Sequence, residues 1–145
     1  MNSAVMTLGR FLLVLIFLID GVHKAMDFGG AASAIASKGW AQPHLLATLT
    51  ILAEVGGSLL VIFNRFTVPA ALALAGVCLA TGIFSHDFWV EADPARHADK
   101  FNHFMMNIAL AGAFLTIAAS PALELLPGLG QQGGRIERQS GPATT

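Results

Sequence analysis

Four long apolar runs divide this chain, and they constrain its fold more than any other feature. They extend from about Val5 to Met26, Leu45 to Phe63, Val68 to Phe84 and Phe101 to Ala119. A helix needs about 17–25 mostly apolar residues to cross the hydrocarbon core of a bilayer, and each run is near that length. Lipid offers no water to the backbone, so such a run must satisfy its own N–H and C=O groups as a helix. Short connections make consecutive helices antiparallel. The expected fold is an all-α integral membrane four-helix bundle, up-down-up-down, with both termini on the same side. A soluble bundle would carry a polar stripe along each helix. Here Phe11 to Ile19 is apolar all round, as is much of Val68 to Leu79.

Composition agrees. The chain is 54% hydrophobic and 12% charged, against about 25% charged in a soluble domain. With 8 Lys+Arg against 9 Asp+Glu and a net charge of −1, no basic field exists to hold nucleic acid phosphates. The one cysteine, Cys78, lies in the third run, so no internal disulfide can form and a packing role is expected.

The first run reads as a span rather than a secretory leader. Residues 1–9 carry no Lys or Arg, and Asp20, His23 and Lys24 interrupt the region before a cleavage site. Gly29 to Pro43 reads as a loop of small residues, with a short interfacial helix over Ala31 to Lys38. Asn64 to Thr67 is a tight turn, and Pro69 suits the first turn of the next helix. Asp87 to Lys100 is a polar, acidic loop. A membrane domain over residues 1–126 is expected, then a disordered tail over 127–145, rich in Gly and Gln. Arg10 and Arg65 lie close to the spans on the terminus side, and the other side is rich in acids. Both points favour termini inside. Trp40 and Trp89 fall in the two longer connections, where interfacial anchoring is common.

Charged groups at bilayer depth cost about 2.5–3.5 kcal/mol on insertion scales, so each needs a reason. At 100° per residue Arg10, Phe17, Gly21 and Lys24 share one face of the first helix. Thr50, Glu54, Gly57 and Ser58 share one on the second. Cys78, Thr81, Gly82 and Ser85 do so on the third, and His103, Asn107 and Leu110 on the fourth. Antiparallel connection puts Asp20, His23, Lys24, His86, Asp87, Asn102 and His103 near the long-loop side. Glu54 lies about 13–15 Å below it. Helical side chains lean toward their own N-terminus, so Lys24 leans inward and Glu54 leans toward Lys24. The expectation is a polar pocket with Glu54 as its floor. Its walls are Lys24, Asp20, His23, His86, His103 and Asn107. Blander roles compete: Arg10 and Lys24 also suit snorkelling, and Asp20 with Lys24 suits a plain i, i+4 pair. The histidines lack every paired ligand signature, so no metal is expected. Ser58 and Ser85 lack the setting of a catalytic nucleophile.

At these residues the sequence resembles the DoxX family of small membrane proteins. The pieces are Leu8-Gly9-Arg10, Gly21-Val22-His23-Lys24, Glu54-Val55-Gly56-Gly57, Phe84-Ser85-His86-Asp87-Phe88-Trp89 and Asn102-His103-Phe104-Met105-Met106-Asn107. The resemblance covers about residues 5–119. It implies a four-helix inner-membrane protein of a bacterium or archaeon. Its namesake type is linked to a quinone-reducing thiosulfate oxidoreductase or terminal oxidase, and other members are associated with redox stress or detoxification. It also implies that Arg10, Lys24, Glu54, His86, His103 and Asn107 form one functional cluster, with His23 outside the family pattern.

The expected function is a membrane subunit of a quinone-linked oxidoreductase or redox-stress system. Glu54, Lys24 and His103 would relay protons, and Arg10, Asp20, His23, His86 and Asn107 would bind the substrate or cofactor. Lys24 or a histidine would donate a hydrogen bond to a quinone oxygen. No flavin, haem or iron–sulfur signature is present, so electrons would come from a redox protein partner. Besides the lipid bilayer, a homo-oligomer is a compatible partner. The alternative is a non-enzymatic membrane adaptor or small-solute carrier, since no complete catalytic set is present.

Overall fold

Each long helix begins and ends where local chemistry dictates. A computed structural model of the protein describes residues 3–124. The tail over 127–145 lies outside them. Helix α1 (Ser3–Met26) is followed at once by the short α2 (Phe28–Ser37). Asp27 separates them and caps α2, its carboxylate accepting from the Gly30 N–H at 3.0 Å. Gly39, at φ 78°, ends that segment in the left-handed region. Pro43 opens α3 (Pro43–Ile51), where its missing N–H costs nothing.

The second span does not stay α-helical. After α3 the backbone widens into a π-helical segment, Leu52–Gly56, and then resumes as α4 (Gly57–Ile62). Its C-terminus is a Schellman motif. The Arg65 N–H reaches the Leu60 carbonyl at 2.9 Å, and the Asn64 N–H reaches that of Val61 at 3.3 Å. Asn64 (φ 53°) and Phe66 (φ 48°) both take left-handed conformations there. Asparagine tolerates this; a phenylalanine is strained by it. Helix α5 (Thr67–Ser85), a 3-10 turn (Phe88–Val90) and α6 (Pro94–Glu124) complete the described chain.

Four helical stretches are long and apolar enough to cross a membrane: Ala4–Met26, Pro43–Ile62, Thr67–Val90 and Pro94–Ser120. The first span is followed by α2, and the third ends in the 3-10 turn. Two expectations need correction. The short helix expected over Ala31 to Lys38 is present but starts earlier, at Phe28, because Asp27 supplies the cap, and it ends at Ser37. The loop expected to reach Lys100 ends at Asp93, whose carboxylate accepts from the Arg96 N–H at 2.9 Å. With Pro94 next, the helix starts two turns before the apolar run does.

The bundle core is small. Phe17 of α1 meets Phe114 of α6 edge to face, ring centroids 5.4 Å apart, a favoured aromatic geometry. Val14, Val61, Ala71, Leu74, Cys78 and Ala111 pack around them. Small residues set the spacing. A Cβ on Gly57 would lie 3.2 Å from Leu74 Cγ, and one on Gly82 would lie 3.3 Å from Asn107 Cβ. Leu12, Ile16, Leu52, Leu72 and Leu115 face outward, as a lipid-facing surface requires.

The two long connections are tied to each other. Lys38 pairs with Asp87 at 3.1 Å, and Trp40 packs edge to face on Phe84 at 4.2 Å. Lys100 reaches back to Asp87 at 3.0 Å and Glu91 at 3.1 Å.

Candidate functional site

The site begins with a close approach of α1 to the π segment. Gly21 makes that approach feasible, because a Cβ there would stand 2.8 Å from Val55 Cγ2 and 3.0 Å from Glu54 Cβ. One turn on from Asp20, Lys24 reaches across the gap. Its ammonium donates to Glu54 Oε1 at 2.6 Å and to Asp20 Oδ2 at 2.7 Å. The Lys24 stem closes the axial distance itself.

The two acids differ sharply in environment. The Asp20 side chain is 55% exposed, that of Lys24 27% and that of Glu54 2%. The trio thus runs from the long-loop surface into the protein interior. Among the described residues Glu54 Oε2 is buried without a hydrogen-bond partner, as is Ser58 Oγ one turn further along the same span. A buried oxygen of this kind is costly unless something satisfies it. The trio holds one cation for two carboxylates, so a single proton changes its charge balance. An ammonium has three N–H donors, and Lys24 gives two of them to the acids.

A π-helical turn inside an α-helix is a frequent companion of functional sites, because one extra residue re-aims the side chains it carries. Here it carries Glu54. Sequence reasoning missed it. The available signal was Gly56-Gly57 directly after Glu54-Val55, a point of weak helix propensity beside a charged group.

His86 and His103 form a second group. Their rings stack at 5.1 Å with planes 20° apart, joining the end of α5 to α6. His103 Nδ1 lies 2.9 Å from the Asp99 carbonyl. Asn107 gives its amide N–H to the His103 carbonyl at 2.9 Å, on its own helix. Among the described residues no hydrogen bond, ion pair or ring contact joins this group to the Asp20–Lys24–Glu54 trio. His23 is exposed on α1, and no cluster of three or more metal-ligating side chains occurs among the described residues.

Arg10 does not join the polar site. It precedes Lys24 on the same helix by about 21 Å at 1.5 Å per residue. Its Nη1 donates to Asn64 Oδ1 at 2.8 Å, at the other end of the bundle. The sequence groups Arg10 with Lys24 because they share a helix face, but a face says nothing of depth. A shallow open groove of about 540 Å³ lies at the Arg10 end, lined by Ala4, Thr7, Leu8, Phe11 and Ile62.

Four apolar spans with a charged trio sunk into one end define an integral membrane protein with an intramembrane polar site. The chain belongs to the DoxX family, whose model matches residues 5–87. That match takes in Lys24, Glu54 and His86 and stops before His103 and Asn107. Over 117 residues the chain is 33% identical to inner membrane protein YphA of Escherichia coli (strain K12), covering 81% of this chain and 83% of that one. No solved structure matches it at a significant level. The spans and these relationships make it a multi-pass inner-membrane protein.

Proposed function

We propose that this chain is the membrane subunit of a quinone-linked oxidoreductase or redox-stress system, with Asp20, Lys24 and Glu54 as its quinone-facing proton site. One observation carries the reading. Lys24 Nζ lies 2.6 Å from Oε1 of a glutamate that is almost fully buried and whose Oε2 has no partner. Intramembrane carboxylates paired with lysine are expensive and mark proton or substrate paths.

The donor set suits a quinone headgroup. Lys24 retains one N–H for a carbonyl oxygen, and Glu54 Oε2 is placed to hold or release a proton. Asp20, half-exposed, connects the pair to the long-loop surface. A quinone would supply the two-electron chemistry, with a redox protein partner delivering the electrons. The chain's own residues bind, orient and move the proton between the Asp20 and Glu54 carboxylates. His103 is the other relay candidate, stacked on His86 near the surface.

The test is binding of a short-chain quinone analogue to the purified full chain in lipid nanodiscs. Saturable binding that Glu54→Gln and Lys24→Met each weaken is the expected result. A wild-type chain with no saturable binding overturns the proposal.

A further inference from the structure

The groove at the terminus side is lined from α1 and α4, and two arginines follow its lining closely in sequence, Arg10 on α1 and Arg65 three residues past Ile62. The geometry points to a binding site for an acidic glycerophospholipid, with an acyl chain in the groove and the phosphate on Arg10 and Arg65. Ala4, Leu8 and Phe11 line the groove on α1 and Ile62 closes it from α4. From Ala4 to Phe11 it extends about 10 Å along the helix axis, the depth of the headgroup and upper acyl region.

Arg10 lies on the same helical stretch, between Leu8 and Phe11. Arginine leans toward the N-terminus of its helix, here toward the membrane surface. One of its five N–H donors goes to the neutral Asn64 amide, and four remain. Asn64 is itself anchored. Its Oδ1 also accepts from Thr67 Oγ1 at 3.1 Å, and its backbone closes the Schellman motif. Arg65 follows Asn64 directly and is exposed. The strained turn at 64–66 therefore holds one guanidinium and carries another.

Charge selects the occupant. No Asp or Glu occurs in residues 1–19, 55–86 or 101–123, and the acid that the described chain does carry at the terminus-side end is Glu124, the last residue of α6. Neither arginine has a carboxylate within ion-pair distance among the described residues. A planar guanidinium matches phosphate oxygens in a two-point fork. The missing anion and the apolar slot beneath it are supplied together by one molecule, a lipid with a net negative headgroup.

Native mass spectrometry of the full chain, offered equimolar dioleoyl phosphatidylglycerol and dioleoyl phosphatidylcholine, tests this. The expected result is preferential retention of phosphatidylglycerol that inorganic phosphate does not displace. Arg65→Gln, which leaves the Arg10–Asn64 contact intact, should lower the preference about five-fold, the effect of one basic side chain near an anionic surface. Arg10→Gln with Arg65→Gln should remove it, and Ala4→Phe, filling the groove, should reduce retention of both lipids. Equal retention of the two lipids by the wild type overturns the proposal. So does an unchanged preference in Arg65→Gln, displacement by inorganic phosphate alone, lipid retention indifferent to Ala4→Phe, or a chain dimer in place of bound lipid.

Discussion

Gly21 and Glu54 approach so closely that a Cβ on the glycine would stand 3.0 Å from the Cβ of the glutamate. The absence of one side chain on α1 thus brings the π segment within reach of Lys24. Gly21→Ala should force the two spans apart, costing about 1–3 kcal/mol as overpacking does, and should weaken the Lys24–Glu54 contact. Gly9→Ala, with nothing within 4 Å of its added Cβ, is the control and should be neutral or slightly stabilising. Reversible unfolding in mixed micelles measures both. Equal stability of the two variants would contradict the packing argument.

Lys24→Met removes the cation from a glutamate that is 2% exposed. Stranding a buried charge costs about 3–5 kcal/mol. Replacing both partners, in Lys24→Met with Glu54→Leu, should recover most of that loss. A double-mutant cycle on unfolding free energy gives the coupling, and a value near zero would mean that the pair is not formed in the membrane.

Asp87 holds Lys38 from one long connection and Lys100 from the next helix. Asp87→Asn should cost only about 1 kcal/mol or less, since the groups are partly solvated. Its clearer effect should be local: faster hydrogen exchange at residues 38–42, which lose their ionic tie to the second connection. The Trp40–Phe84 contact should keep the bundle itself intact. Unchanged exchange would show that the aromatic contact alone holds the layer.

Glu91 lies outside the spans, and its carboxyl is held below the ordinary value of 4.5 by a hydrogen bond from Lys100, then by the Asp93 N–H. A carboxyl with a depressed folded value stabilises the folded loop at pH above its unfolded value. That contribution is lost as pH falls through the folded value. Loop protection should therefore be constant above the ordinary carboxylate range and decline in acid below it. An NMR titration of Glu91 should show its midpoint rising toward the ordinary value in Lys100→Gln. An unmoved midpoint would assign the shift to the Asp93 N–H and Arg96 instead.

Much of the architecture is determined by the sequence alone. Span number, span length and alternation follow from apolar runs of bilayer length, and the rise of 1.5 Å per residue then sets depth. Depth is why Lys24 and Glu54 can be matched across two helices, and why Asp20 and His86 belong to the long-loop side. Caps are local too. Asp27 and Asp93-Pro94 carry the true starts of α2 and α6, although the small residues after the first and the polar residues around the second read as loop. Lateral placement is different. Which faces meet depends on how four helices rotate and pack, and one additional residue in the π segment turns the rest of that span. Only the tertiary structure stacks His86 on His103 without a direct contact to the lysine trio among the described residues. Only it gives Arg10 to Asn64 and leaves Glu54 Oε2 without a partner. Rise along a helix is a property of the backbone; azimuth between helices is decided by side-chain packing and glycine contacts, with no local signature of its own.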